Sequence, residues 1–239
     1  MAGSAEPLTA PADTLPAVKE LAPDVWQLSG IPPNAINVYI VGDVLIDAST
    51  RYATRRILRQ IKDMEINAHA LTHAHPDHQG ASHNVCERLE IPFWVGAADA
   101  GAAENPELIG RRQPDSFMAQ FFFKTMTGPG HPVDRKLNDG DEVAGFRVVH
   151  VPGHSAGHVG FWRESDGVLI AGDVLNSADI YTGIPGLHEP RPYLTPDPAE
   201  NRRSARKLAA LEPKLAVFGH GPPVRDTKKL VDFVAGLPD

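Results

Sequence analysis

The sequence predicts an α/β sandwich, with two sheets face to face and helices outside, and three observations carry that expectation. Short β-rich runs fall into two sets, before and after a proline-interrupted stretch at 99–140. Amphipathic helical segments interrupt both sets, and the apolar faces of sheets and helices must bury one another in layers. The chain has 239 residues, a length that suits one generous domain, since single cores stop growing at about 250–300 residues. No repeat of 20–50 residues is visible at the level of identity, which argues against a solenoid.

The elements follow in order. Residues 1–19, rich in Ala and Pro as far as Pro16, are expected to form a flexible extension, and 20–239 a single domain. Asp24-Val25-Trp26-Gln27-Leu28 alternates in polarity like a half-buried strand. Asn37–Val41 and Val44–Asp47 flank Gly42-Asp43, the short break of a β-hairpin. Ser49 and Thr50 are candidate caps for a helix over Tyr52–Met64, where Ile57, Leu58 and Ile61 recur at helical spacing and arginines take the outer face. His69–Thr72 reads as a short buried strand, Asn84–Leu89 as a helix and Pro92–Val95 as a strand. Within 99–140, four prolines surround the apolar run Phe117–Phe123, so the segment reads as a helical insertion rather than central sheet. Strand patterning resumes at Phe146–Val151, Val159–Trp162 and Gly167–Ala171. A Pro-rich loop, the amphipathic helix Ala199–Leu211, the strand Leu215–Phe218 and a helix over Thr227–Val234 complete the pattern.

Composition narrows the function classes. Twenty-three Lys and Arg against 30 Asp and Glu give a net charge of −7 with no basic cluster, which argues against nucleic acid or anionic membrane as the main partner. No apolar run approaches the roughly 18–20 residues needed to cross a bilayer. The first residues lack the positive start and apolar core of a secretory signal, so a cytoplasmic location is expected. Cys86 is the single cysteine; it cannot form an intrachain disulfide and reads as a small core residue. The unusual number is 11 histidines.

Their placement points to metal. Thr72-His73-Ala74-His75-Pro76-Asp77-His78 packs four metal-competent side chains into six residues. His73 and His75, two apart on an extended segment, project from one face. Pro76 then bends the chain, so Asp77 and His78 turn towards a second point. A surface loop that is merely His-rich is the plain alternative, but imidazolium groups held this close repel unless a metal or a carboxylate compensates. His154, in Pro152-Gly153-His154-Ser155-Ala156-Gly157-His158, Asp173, after Leu169-Ile170-Ala171-Gly172, and His220, between Gly219 and Gly221, each sit among small residues or at a strand end. Imidazole and carboxylate donors suit zinc, iron, manganese or cobalt and show no preference for calcium.

The H-x-H-x-D-H loop, followed by the later Gly-His, Gly-Asp and Gly-His segments in that order, resembles the metallo-β-lactamase-fold hydrolase superfamily, which includes glyoxalase II-type thioesterases and lactonases. The resemblance spans roughly residues 20–225. It implies a four-layer αββα sandwich with a dinuclear site. His73, His75 and His154 would bind one metal, Asp77, His78 and His220 a second, and Asp173 would bridge both. Asp47 matches a carboxylate beneath the site that orients a ligand imidazole, with a plain turn residue as the alternative. Two divalent ions are implied, zinc first, with iron or manganese as alternatives. The chemistry expected of such a set is attack of a metal-bridging hydroxide on the carbonyl of a small acyl substrate, a thioester, ester or lactone, with Asp77 passing a proton to the leaving group.

Other readings remain beside it. A mononuclear iron persulfide dioxygenase keeps the same loop, although Val174-Leu175-Asn176-Ser177 lacks the arginine-bearing segment expected there. A non-catalytic metal-binding module is disfavoured because all seven ligand positions are filled. Asp173 argues against true β-lactamase activity, where the resemblance calls for Cys or Ser. Glyoxalase II itself is disfavoured by the 19 residues that follow His220, where that family carries a glutathione-binding helical domain. Phe117 and Phe121 are candidates for an apolar wall over the metals; packing of the insertion or a homodimer contact is the bland alternative. Among the further histidines, His188 is the best candidate to reach a substrate, ahead of His131 and His158.

Overall fold

The computed structural model describes residues 18–112 and 114–238. The expected extension at 1–19 therefore lies outside the described residues except for Val18 and Lys19, and Lys19 already opens a strand.

The first half of the chain builds β1 (Lys19–Ala22), β2 (Val25–Gln27), β3 (Tyr39–Val41), β4 (Val44–Ile46), α1 (Thr54–Gln60), β5 (Ala68–Ala70), α2 (Pro76–Gln79), α3 (Ser82–Leu89) and β6 (Phe93–Gly96). The segment at 99–140 contributes α4 (Ala100–Glu104), α5 (Glu107–Arg112) and α6 (Phe117–Met126), and then an edge strand, β7 (Arg135–Leu137). Seven strands pair in the order β1 to β7, antiparallel through β4 and parallel from β4 to β7.

The second half builds β8 (Glu142–Val143), β9 (Phe146–His150), β10 (Val159–Arg163), β11 (Val168–Ile170), β12 (Asn176–Ala178), β13 (Pro185–His188), α7 (Pro198–Ala209), β14 (Leu215–Val217) and α8 (Thr227–Ala235). Its sheet runs β14-β11-β10-β9-β8, with β11 and β14 parallel. The stretch read from sequence as a Pro-rich loop contains the small pair β12–β13. Its polar residues carry no period-2 pattern.

The layers follow from strand alternation. In β4, Val44 and Ile46 face the second sheet, where they join Val148, Phe161, Val168 and Ile170, while Leu45 points outward to Ile57 and Ile61. In β11, Leu169 points the other way, against Ala205 and Leu208 of α7. One-residue alternation thus buries both faces of both sheets, the condition for a four-layer αββα sandwich. Each fully buried Val, Ile or Phe stabilises the fold by about 1.5–3 kcal/mol.

This architecture aims five strands at one edge. Residues 47, 73, 154, 173 and 220 all follow the C-terminal ends of strands, after β4, β5, β9, β11 and β14. Loops at a common edge of a rigid scaffold are where a site is built.

Beneath that edge His69 ties the layers together. Its Nδ1 donates to the Leu45 carbonyl at 3.0 Å, and its Nε2 lies 2.7 Å from Ser82 Oγ on α3. Burial disfavours the imidazolium and lowers its pKa to about 4 from an ordinary 6.5. Between those values the unfolded chain binds a proton that the folded chain refuses, so stability present above pH 6.5 is lost as pH falls towards 4. The loss reaches at most about 1.4 kcal/mol per pH unit for one proton. Urea midpoints at pH 7 and pH 5 will therefore differ, and His69→Gln will reduce that difference; an unchanged difference in the variant would show that His69 does not titrate with unfolding.

Candidate metal centre

Local sequence sends the loop after β5 in two directions. His75 is extended (φ −79°, ψ 154°) and stands just before α2. Pro76 occupies the first helical position, where its fixed φ and missing N–H cost nothing. Asp77 and His78 therefore rise on a helical turn, while His73 and His75 project from extended backbone.

The structure brings His73, His75, Asp77, His78, His154, Asp173 and His220 together. Donor atoms converge within 4.8 Å in three overlapping groups: His73, His75 and His154; His73, His78 and Asp173; Asp77, His78 and His220. Asp173 stands in the middle. Its Oδ1 is 3.5 Å from His78 Nε2, and its Oδ2 is 3.7 Å from His154 Nε2 and 3.1 Å from His220 Nε2. Asp77 Oδ2 lies 3.3 Å from His220 Nε2.

Four imidazoles are oriented by an oxygen on Nδ1. His78 donates to Asp47 Oδ2 at 2.8 Å, and His220 donates to the Ala35 carbonyl. Thr72 Oγ1 gives its proton to Asp47 Oδ2, so it accepts from His73 Nδ1 at 3.0 Å. Thr195 Oγ1 gives its proton to the Arg191 carbonyl and accepts from His154 Nδ1 at 3.1 Å. When neutral, as a metal ligand must be, each ring is thereby fixed in the tautomer whose Nε2 lone pair faces the centre. Asp47 adopts a left-handed backbone (φ 62°), and its Oδ1 also accepts the Thr72 N–H at 2.8 Å.

The donor set fits a metal. His73 Nε2, His78 Nε2, His154 Nε2 and Asp173 Oδ1 are buried and make no hydrogen bond among the described residues. An unpaired buried polar atom costs about 1–3 kcal/mol, and four that converge on one place are explained by a shared cation. Electrostatics agree. Burial and then neighbouring imidazoles hold His73 and His154 well below their ordinary pKa. Burial opposes charge on His220 as well, but Asp173 and Asp77 outweigh it and raise the pKa to about 10. Burial also works against ionised Asp173, and His220 and His78 outweigh it, holding the carboxyl well below its usual range. Carboxylates this strongly ionised among nitrogen lone pairs require positive charge, which protons on His78 and His220 or divalent cations supply.

Two further residues organise the centre, and of these Asp99 was not singled out by the sequence. Asp99, just beyond β6, accepts from Ala74 N at 3.2 Å, Ser155 Oγ at 2.5 Å and Gly157 N at 2.9 Å, and so clamps the His75 loop to the His154 loop. An acidic residue soon after a strand end was the available signal, the same one that marks Asp47. His158, ranked behind His188 as a candidate to reach a substrate, accepts the Asp173 N–H on its Nε2 at 3.0 Å and stacks on His73 at 4.7 Å.

Above the centre lies a cavity of about 280 Å³ lined by Asp77, His154, Asp173 and His220, with Ile36, Phe122, Phe123, Met126, Ile180 and Leu194 among its apolar walls. The apolar wall differs from the one expected. Phe117 and Phe121 are 80% and 52% exposed and do not line the cavity. On α6 the buried Ala119 shares a face with Phe122, Phe123 and Met126, at spacings of three, four and seven, while Phe117 and Phe121 share another. His188 lies on β13, opposite Asn176 in register, and is not among the cavity-lining residues. Arg191 at the rim is paired with Asp179 and covers the Tyr181 ring.

Known metallo-hydrolases resemble this chain. The family model of the metallo-beta-lactamase superfamily matches residues 31–220. A probable metallo-hydrolase of Bacillus subtilis, YflN, is 28% identical over 221 residues, covering 82% of this chain and 84% of its own. The hydroxyacylglutathione hydrolase GloC of Haemophilus influenzae is 29% identical over 127 residues, 50% of this chain and 56% of that protein. The crystal structure of TTHA1623 in a di-iron-bound form aligns with a TM-score of 0.58 at 29% identity, covering 87% of this chain and 93% of that one.

Proposed function

Since the chain belongs to the metallo-β-lactamase superfamily, we propose that it is a binuclear metallo-hydrolase that cleaves a small thioester, ester or lactone with an apolar acyl group. The observation that carries the reading is the central position of Asp173, within 3.1–3.7 Å of imidazole nitrogens on both sides. His73, His75 and His154 would hold one ion, Asp77, His78 and His220 the other, and Asp173 would touch both. Zinc suits these donors, and iron or manganese would be accepted; the di-iron form of TTHA1623 supports iron as an alternative. Two bound divalent ions supply Lewis acidity, which yields a nucleophile from water at neutral pH and neutralises charge on a carbonyl oxygen.

The residues do the rest. Asp47, Thr72, Thr195 and the Ala35 carbonyl keep the imidazoles aimed, so the centre is preorganised before substrate arrives. Phe122, Phe123, Met126 and Leu194 exclude water and receive the acyl chain. Asp77 lines the cavity with its side chain 24% exposed. Its Oδ2 faces His220, which leaves Oδ1 to take a proton from the attacking water and deliver it to the leaving group. The relationship to GloC favours thioesters within this class.

A panel of acyl thioesters, esters and lactones tests the reading. Turnover of at least one class is expected, lost on chelation and restored by a divalent metal. Persulfide-dependent oxygen uptake with no hydrolysis across the panel would replace the hydrolase with a one-iron dioxygenase.

A further inference from the structure

Outside the seven-residue cluster, three more donors meet on the far side of α3. His83 and Glu87 are four residues apart on that helix and share one face. His131 reaches them from the segment between α6 and β7. The Nδ1 atoms of His83 and His131 are 3.1 Å apart, Glu87 Oε1 is 3.8 Å from His131 Nδ1, and donor atoms of all three lie within 4.8 Å. His131 is held in place: its N–H donates to the Ala103 carbonyl at 3.2 Å, its ring meets Phe93 edge-on at 5.8 Å, and its side chain is 12% exposed. Glu87 is 60% exposed and free to swing inward.

We propose that His83, Glu87 and His131 form a second, weaker site for a zinc-like divalent ion, completed by water. Tetrahedral metal–nitrogen bonds of 2.0–2.1 Å place two nitrogens about 3.3–3.4 Å apart, so the imidazoles need shift by only a few tenths of an ångström. Two imidazoles and one carboxylate favour a first-row transition ion over calcium or magnesium, which demand more oxygen donors. Cys86, on the same helix, is packed in the apolar cluster with Leu71, Phe93 and Val95 and is not among the converging donors. An ion here would fasten α3 to the segment that follows α6 and so steady the helix whose Phe122, Phe123 and Met126 wall the cavity.

The test uses the full chain with its tightly held metal in place, dialysed against micromolar zinc beside His83→Ala and Glu87→Gln. Differences from wild type are independent of whatever the seven-residue cluster holds. The wild type should carry one zinc equivalent more than His83→Ala, and Glu87→Gln should bind that equivalent at least about tenfold more weakly, the least expected even of a partner that only orients a ligand. Zinc should also raise the wild-type Tm and leave that of His83→Ala unmoved. Equal zinc content and an equal Tm response in all three proteins would overturn the proposal, leaving a plain hydrogen bond between His83 and His131.

Discussion

Asp173→Asn is expected to lower kcat/KM by at least about 10³-fold, beyond the 10–100-fold typical of removing a partner that orients a ligand. The carboxylate lies 3.1 Å from His220, 3.5 Å from His78 and 3.7 Å from His154, so its charge serves both halves of the centre. An amide of the same shape keeps the packing but removes the charge, and its N–H₂ has no electron pair to give a metal ion. Metal content should fall by at least one ion per chain while the circular dichroism spectrum stays native. Activity retained within tenfold would show that Asp173 does not join the two halves.

Gly219→Ala is expected to be nearly as damaging, for steric reasons. A Cβ at this position would lie 1.9 Å from Asp173 Oδ1 and 2.5 Å from His78 Cε1. Neither atom can retreat, because both side chains are buried. The backbone cannot retreat either: the Gly219 N–H donates to the Gly172 carbonyl at 3.0 Å, and its carbonyl accepts from Asn37 N at 2.8 Å. Overpacking of this kind costs about 1–3 kcal/mol, and a displacement of about 1 Å at a reacting centre costs on the order of 10²-fold in rate. The variant should melt earlier, bind less metal and turn over at least that much more slowly. Full metal content and near-wild-type rate would contradict the packing described around Asp173.

Much of the architecture was readable because its signals are local. Alternation of polar and apolar residues over Asp24–Leu28 encodes a half-buried strand, and the two-residue turn Gly42-Asp43 encodes a hairpin. The loop from His73 to His78 was legible for a similar reason, since rare donor types within six residues need no knowledge of distant contacts. Asp99 was not, because its meaning lies in bonds to residues 56 and 58 positions away. The cavity-facing side of α6 was also hidden. Phe117 to Phe123 is apolar almost throughout, and a continuous apolar run does not define the phase of a helix, so Phe117 and Phe121 stood for a face that Phe122, Phe123 and Met126 occupy. β7 and β12–β13 escaped because short polar strands at an edge carry no alternation. Among the described residues no helix is long and apolar enough to cross a membrane.

The proposed centre has seven side chains holding two metal ions. Elemental analysis of the chain, purified without chelator or added metal and dialysed against metal-free buffer, tests it most directly. Close to two zinc, iron or manganese ions per chain is the predicted result; close to one ion, or none, would contradict it.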